Sequence, residues 1–248
     1  MLFRSVISDL KNAEHYFKLL PGDLQWRKNY RVSLPMVELL LSRVYLYMED
    51  WSNASEYAQK VIDNGNFQLL DLNIIEAFDE NSGNRVYRNY HSYESPEAIW
   101  LYGSLEDVTY MVRRTGAEGR VFFKASDALM VSFDETPDDL RKDRYIVRES
   151  VASEENGEIV YNPQAFGKIA INHSGYGPGG TSNFARSFRL SEAYLNLSES
   201  YAMLYKESGD GTAMTKALNA VNKLRQSRFP RETEDVIEIR RASCRERV

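Results

Sequence analysis

A chain of 248 residues with 43% hydrophobic and 27% charged residues has the make-up of a soluble globular protein with enough apolar side chains for a sizeable core. Its net charge of −5 argues against a nucleic-acid partner, because neutralising phosphates takes clustered positive charge. No apolar run approaches a membrane-spanning length, and the single cysteine, Cys244, excludes an internal disulfide and a cysteine-based zinc site.

Val6 to Leu19 reads as a helix, with Ser5 or Ser8 as cap and Pro21-Gly22 as its stop. The segment SLPMVELLLSRVYLYMEDWSNASEYAQKVI, Ser33 to Ile62, follows. Leu34, Val37, Leu41, Val44, Tyr45 and Met48 recur at spacings of three and four, on one helical face. Glu49-Asp50 marks a turn. Trp51 then opens a second run of Ala54, Ala58, Val61 and Ile62, which Asn64-Gly65 ends with a left-handed cap. Small alanines at that spacing let two antiparallel helices approach closely. This is a helical hairpin of the tetratricopeptide type, a unit that cannot bury its apolar face without neighbours.

Phe67 to Leu70 reads as a short extended piece and Glu97 to Tyr102 as a strand with Trp100 in its core. Lys124 to Phe133 reads as a helix, Glu158 to Tyr161 and Lys168 to Ile171 as short strands, and Gly175 to Asn183 as a glycine-rich loop. Arg189 to Lys206 and Ala213 to Arg225 form a second hairpin. Leu41-Ser42 aligns with Leu197-Ser198, and Tyr45 with Tyr201, 156 residues on. Ala54 aligns with Ala217 at an offset of 163, so the second turn is longer by 7 residues. The expected fold is mainly α: tetratricopeptide-like helical hairpins, about 5–64 and 187–228, with a long irregular lobe, about 65–186, containing a few short strands. Residues 1–228 read as a single domain. Residues 229–248 read as a tail, disordered or non-native, because apolar periodicity stops after Leu224.

Catalytic motifs are missing. Gly175 to Gly180 matches GxGxxG in form. However, Thr181 to Ser187 separates it from the helix, and Glu199 lies inside a helix rather than at the end of a second strand. His15, His91 and His173 have no partners at ligand spacing, so no metal or cofactor is expected. Asp138-Asp139 reads as a cap before Leu140, with Arg141 beside it, rather than an acid–base pair. Arg189, Glu192 and Glu199 read as an ion-pair ladder between packed helices.

Several segments, in order, resemble the SusD/RagB family of surface nutrient-binding lipoproteins. They are Ser8 to Ala13, LLLSRVYLYMEDW from Leu39 to Trp51, Ser95 to Trp100, Phe133-Asp134 through Asp139-Leu140-Arg141, and Phe188 to Leu195 followed by Glu199 and Ala217 to Arg228. The resemblance implies a non-enzymatic protein that captures glycan or oligosaccharide at the cell surface, at the outer membrane. It also implies a SusC-like TonB-dependent transporter as partner. Family members are longer and begin with a lipoprotein signal, so this chain reads as an internal fragment, with the lipid anchor expected in a missing N-terminal region. The alternative function is a tetratricopeptide-type scaffold for a protein or peptide.

The chain holds 16 Tyr, 11 Phe and 3 Trp, and sugar rings stack their C–H faces on flat side chains. Tyr45, Tyr47, Tyr57, Tyr194 and Tyr201 follow helical spacing and read as packing. Tyr87, Tyr90, Tyr93, Tyr110 and Tyr176 follow no period and are the candidate ligand-binding residues. Arg88 and Asn89 are their candidate hydrogen-bonding partners.

Overall fold

The computed structural model describes residues 2–26, 31–75, 95–104, 125–152, 159–166 and 184–233. Chain contacts divide them into two compact units.

The first unit is built from α1 (Leu2–Lys18), α2 (Gly22–Gln25), α3 (Leu34–Tyr47), α4 (Trp51–Asp63), α7 (Leu190–Ser208) and α8 (Gly211–Gln226). Backbone chemistry sets the ends of these helices. Pro35 sits in the first turn of α3, where a missing N–H costs nothing. Glu49, at φ 59, takes the left-handed conformation that stops α3, and the Asp50 carboxylate then caps α4 by accepting from the Asn53 N–H at 3.2 Å. Gly65 and Gly209, at φ 76 and 72, follow α4 and α7 in the same left-handed region.

Within this unit α1 packs on α3, α3 on α4, α4 on α7 and α7 on α8. The two hairpins therefore stack as consecutive repeats, although more than a hundred residues separate them in sequence. One hydrogen bond occurs in both. Ser42 Oγ donates to the Ala54 carbonyl at 2.9 Å, and Ser198 Oγ donates to the Ala217 carbonyl at 2.9 Å. These are the pairs that the sequence alignment of the hairpins equates. Ala54, Ala58 and Ala217 are fully buried, as close helix approach requires. Between the repeats, Ala58, Leu197 and Ala220 form a cluster edged by Ile62, Tyr194 and Tyr201, and Asn196 Nδ2 donates to Ser42 Oγ at 3.3 Å.

The burial of α3 is broader than one apolar face. Met36, Glu38, Leu39 and Leu46 are buried as well, while Met48, expected on the inner face, is exposed. The reason is position: α3 contacts α1, α4 and α7.

Among its described residues the second unit contains a 3-10 turn (Leu72–Ile74), β1 (Ala98–Ser104), α5 (Asp127–Asp134), α6 (Arg141–Tyr145), β2 (Ile146–Ala152) and β3 (Ile159–Phe166). β2 and β3 pair antiparallel, with Ile146 opposite Phe166 and Ala152 opposite Ile159. β1 pairs with β4 (Phe184–Arg189), whose residues to Ser187 belong to this unit. Leu72, Ile75 and Tyr145 form one small core, and Ala125, Phe133 and Ile146 another. Residues Ser227–Arg231 also belong here. Phe229 is buried, and its carbonyl accepts from Asn73 Nδ2 at 3.0 Å.

The short elements α2, α6 and β2 were not expected from periodicity. The strand expected at Glu158–Tyr161 is found as Ile159–Phe166, and Phe67 to Leu70 belongs to no helix or sheet. Instead the buried Phe67 ring meets Trp26 edge-on at 4.9 Å. The candidate strand Lys168 to Ile171 and the loop Gly175 to Gly180 lie outside the described residues.

Candidate functional site

Tyr87, Arg88, Asn89, Tyr90, Tyr93, Tyr110 and Tyr176, the residues nominated for ligand binding, all lie outside the described residues, as do His91 and His173. Among the described residues no cluster of His, Cys, Asp or Glu could hold a metal ion. Two of the charged residues weighed above as catalytic or binding groups, Asp139 and Glu192, make structural contacts. Asp139 is buried and accepts from the Arg141 N–H at 3.0 Å and from the Arg141 guanidinium, the capping role its position suggests. Glu192 receives both Arg43 Nε and Nη2, at 2.6 and 2.7 Å, which ties α7 to α3. The same guanidinium lies over the Phe188 ring at 4.3 Å.

Two arrangements stand out among the described side chains. The first is a polar cluster on the first unit, around Tyr57. The Lys11 and Lys60 ammonium groups stand 4.5 and 4.1 Å from the centroid of its ring, which also stacks on Tyr45. The Tyr57 hydroxyl donates to Glu14 Oε2 at 2.8 Å, and Lys18 donates to Glu14 Oε1 at 2.5 Å. Burial works to raise the Glu14 carboxyl, but the hydrogen bonds from Lys18 and Tyr57 outweigh it and hold Glu14 below its ordinary value. The Tyr57 phenol is pushed up by burial and by its bond to Glu14. Glu38 is buried beside this cluster on α3. Burial pushes its carboxyl up to about 7, opposed by Lys18 and Lys60 and assisted by Glu14. These groups fasten α1 to the first hairpin, and Tyr57 at 1% exposure offers no face to a ligand.

The second arrangement is on β1. Strand geometry sends successive side chains to opposite faces. Glu97, Ile99 and Leu101 point inward, each 2% exposed. Trp100 and Tyr102 take the other face, where both are half-buried. Their rings stack with centroids 4.6 Å apart and planes within 14°. Trp100 is thus not the strand-core residue that its apolar character suggests; Ile99 and Leu101 fill that role. The signal for this was in the sequence, since Glu97-Ala98-Ile99-Trp100-Leu101-Tyr102 alternates with a period of two.

Beneath β1 the Glu97 carboxylate accepts from the Leu70 N–H at 2.8 Å and from the Arg228 guanidinium. Arg228 also donates to the Leu70 carbonyl, and both partners of this ion pair are buried. The pair holds the base of β1 against the segments around residues 70 and 228.

The helical stack, whose two hairpins are separated in sequence by a segment with short strands, is consistent with a SusD-like helical fold. It matches a SusD superfamily protein of Bacteroides thetaiotaomicron VPI-5482 with a TM-score of 0.59 and 22% identity, over 92% of this chain and 47% of that one. It matches a SusD-like carbohydrate binding protein of Bacteroides vulgatus ATCC 8482 with a TM-score of 0.62 and 18% identity, over 96% of this chain and 44% of that one. A SusD superfamily protein of Bacteroides fragilis NCTC 9343 aligns at a TM-score of 0.56 and 17% identity, covering 92% and 51%. The chain therefore spans about half the length of the solved structures it matches. No family profile matches the sequence, and no curated relative does.

Proposed function

We propose that this chain is part of a SusD/RagB-type binding protein that captures oligosaccharide at the cell surface and passes it to a TonB-dependent transporter, without itself catalysing a reaction. The observation that carries the proposal is the fold. Structures of SusD type, one of them described as carbohydrate binding, superpose on more than nine-tenths of the chain. The ordered segment resemblances in the sequence point to the same family. They alone supply the transporter, the outer-membrane location and the lipid anchor.

The candidate ligand-binding residues remain Tyr87, Tyr90, Tyr93, Tyr110 and Tyr176, with Arg88 and Asn89 as polar partners. Each is replaced by alanine, and retention in native gels containing soluble polysaccharides is measured beside a thermal melt. A single aromatic stack contributes roughly 0.5–1.5 kcal/mol beyond its burial, so loss of one costs about tenfold in affinity or less. Normal retention of all seven variants removes them from the site. Loss confined to variants that also melt early assigns them to packing. A TonB-dependent transporter gene and glycoside hydrolases beside the coding gene would support the uptake role.

A further inference from the structure

We propose that the seat of α1 on the first hairpin is a pH-sensitive latch, in which a protonated Glu38 keeps α1 docked and ionisation of Glu38 releases it. The proposal stands on the packing of the first unit and does not depend on the glycan reading. Among the described side chains of α1, Glu14 alone is buried, while the apolar Val6, Ile7, Leu10 and Phe17 are half-buried. The helix is therefore seated by one buried polar contact and by apolar side chains that are only partly covered.

A second carboxyl lies beside that contact. Glu38 on α3 is 5% exposed, and among the described residues no hydrogen bond or ion pair reaches it. The charges that act on it are Glu14 and Lys18 of α1 and Lys60 of α4. Both cations are already engaged, Lys18 with Glu14 Oε1 at 2.5 Å and Lys60 with Glu56 Oε1 at 2.6 Å. Lys11 of α1 donates to the Tyr57 hydroxyl. From α7, the third helix against α3, Glu192 bonds Arg43 instead. An ionised Glu38 is thus a buried charge with no bonded cation, close to the ionised Glu14. Keeping its proton removes that cost, and the docked carboxyl titrates at about 7. When α1 lifts away, solvent reaches Glu38, its proton passes to water, and the carboxyl returns to its ordinary 4.5.

The two carboxyls act in opposite pH windows. Glu14 is held below its ordinary 4.5, so its hold on α1 is complete above 4.5 and is lost only as pH falls below that. Glu38 is raised, so its contribution is complete below 4.5 and is lost as pH rises to about 7. Between pH 5 and pH 7 Glu14 stays ionised, and the Glu38 proton governs the seat.

Amide hydrogen exchange on the full chain, corrected for the pH dependence of chemical exchange, reads the opening of α1 and of α7 at pH 5, 6 and 7. α1 is expected to open more often than α7 at each pH, because it lifts off separately. Its opening constant is expected to rise by up to about fortyfold from pH 5 to pH 7, the ratio set by a shift from 4.5 to about 7. Glu38→Gln, which keeps the shape without the titration, is expected to lose that rise. His15, exposed on α1, is present in both proteins and cancels in the comparison.

Equal opening constants for α1 and α7 overturn the latch, because α1 then leaves only in global unfolding. The same rise in the parent and in Glu38→Gln overturns it too. Should Glu38→Gln fail to fold, the parent decides: an α1 opening constant that stays level from pH 5 to pH 7 overturns the proposal.

Discussion

Each of the two units has its own internal means of cohesion. The helical stack is held by many small apolar contacts, and its motifs repeat: the serine-to-alanine-carbonyl bond occurs once in each hairpin. Among the described residues of the second unit, the apolar clusters are small and chain segments far apart in sequence meet through polar ties. Leu72 N–H reaches the Ser227 carbonyl at 2.9 Å, Leu140 N–H reaches the Arg228 carbonyl at 3.0 Å, and Glu97 bonds Arg228 across 131 residues. Distributed packing tolerates the loss of one contact, whereas removing one partner of a buried ion pair such as Glu97–Arg228 leaves the other charge uncompensated.

The largest effect expected from breaking that contrast is at Glu97. Glu97→Ala leaves the Arg228 guanidinium buried without its carboxylate, and removing one partner of a buried pair costs about 3–5 kcal/mol. Denaturant unfolding should show the loss in the second unit, seen as early exposure of Trp100, while far-ultraviolet helix signal persists. Simultaneous loss of both signals would show that the two units unfold as one.

Next in size is the pH response of the first unit. The folded carboxyl of Glu38 titrates at about 7, above the ordinary 4.5. A raised carboxylate pKa means that the folded state keeps a proton the unfolded chain has released. The stability from this group is therefore complete below 4.5 and is lost as pH rises towards 7. Glu38→Gln removes the dependence. Relative to the parent it should gain on the order of 2–3 kcal/mol between pH 4 and pH 8. Parallel stability–pH curves for parent and variant would contradict the raised pKa.

The smallest effect compares the two hairpins directly. Ser198→Ala removes one buried hydrogen bond and should cost about 1 kcal/mol. Ser42→Ala removes the equivalent bond and also strips Asn196 of its acceptor, so it should cost more, by about 1 kcal/mol. Equal losses by chemical denaturation would show that the bond between the repeats contributes nothing.

The sequence by itself determined the helical part of this protein. Periods of three and four, an acidic turn at Glu49-Asp50 and a glycine after each of α4 and α7 act within a few residues of the positions they govern. Local chemistry was therefore enough to place five helices and to align two hairpins. It also placed Asp139 as a cap beside Arg141, whereas the partner of Glu192, Arg43, lies 149 residues away and was not legible. Only the tertiary structure decided that the two hairpins stack as neighbours, that α3 is buried on several sides, and that Phe229 belongs to the packed chain. Each of these depends on contacts between residues distant in sequence, which no window of the chain contains. Trp100 shows both levels at once. The alternation of β1 was legible, but which of its two faces would be buried depended on what the fold laid against it. The buried face went to Glu97, Ile99 and Leu101, because Arg228, 131 residues away, offers the charge that a buried Glu97 needs.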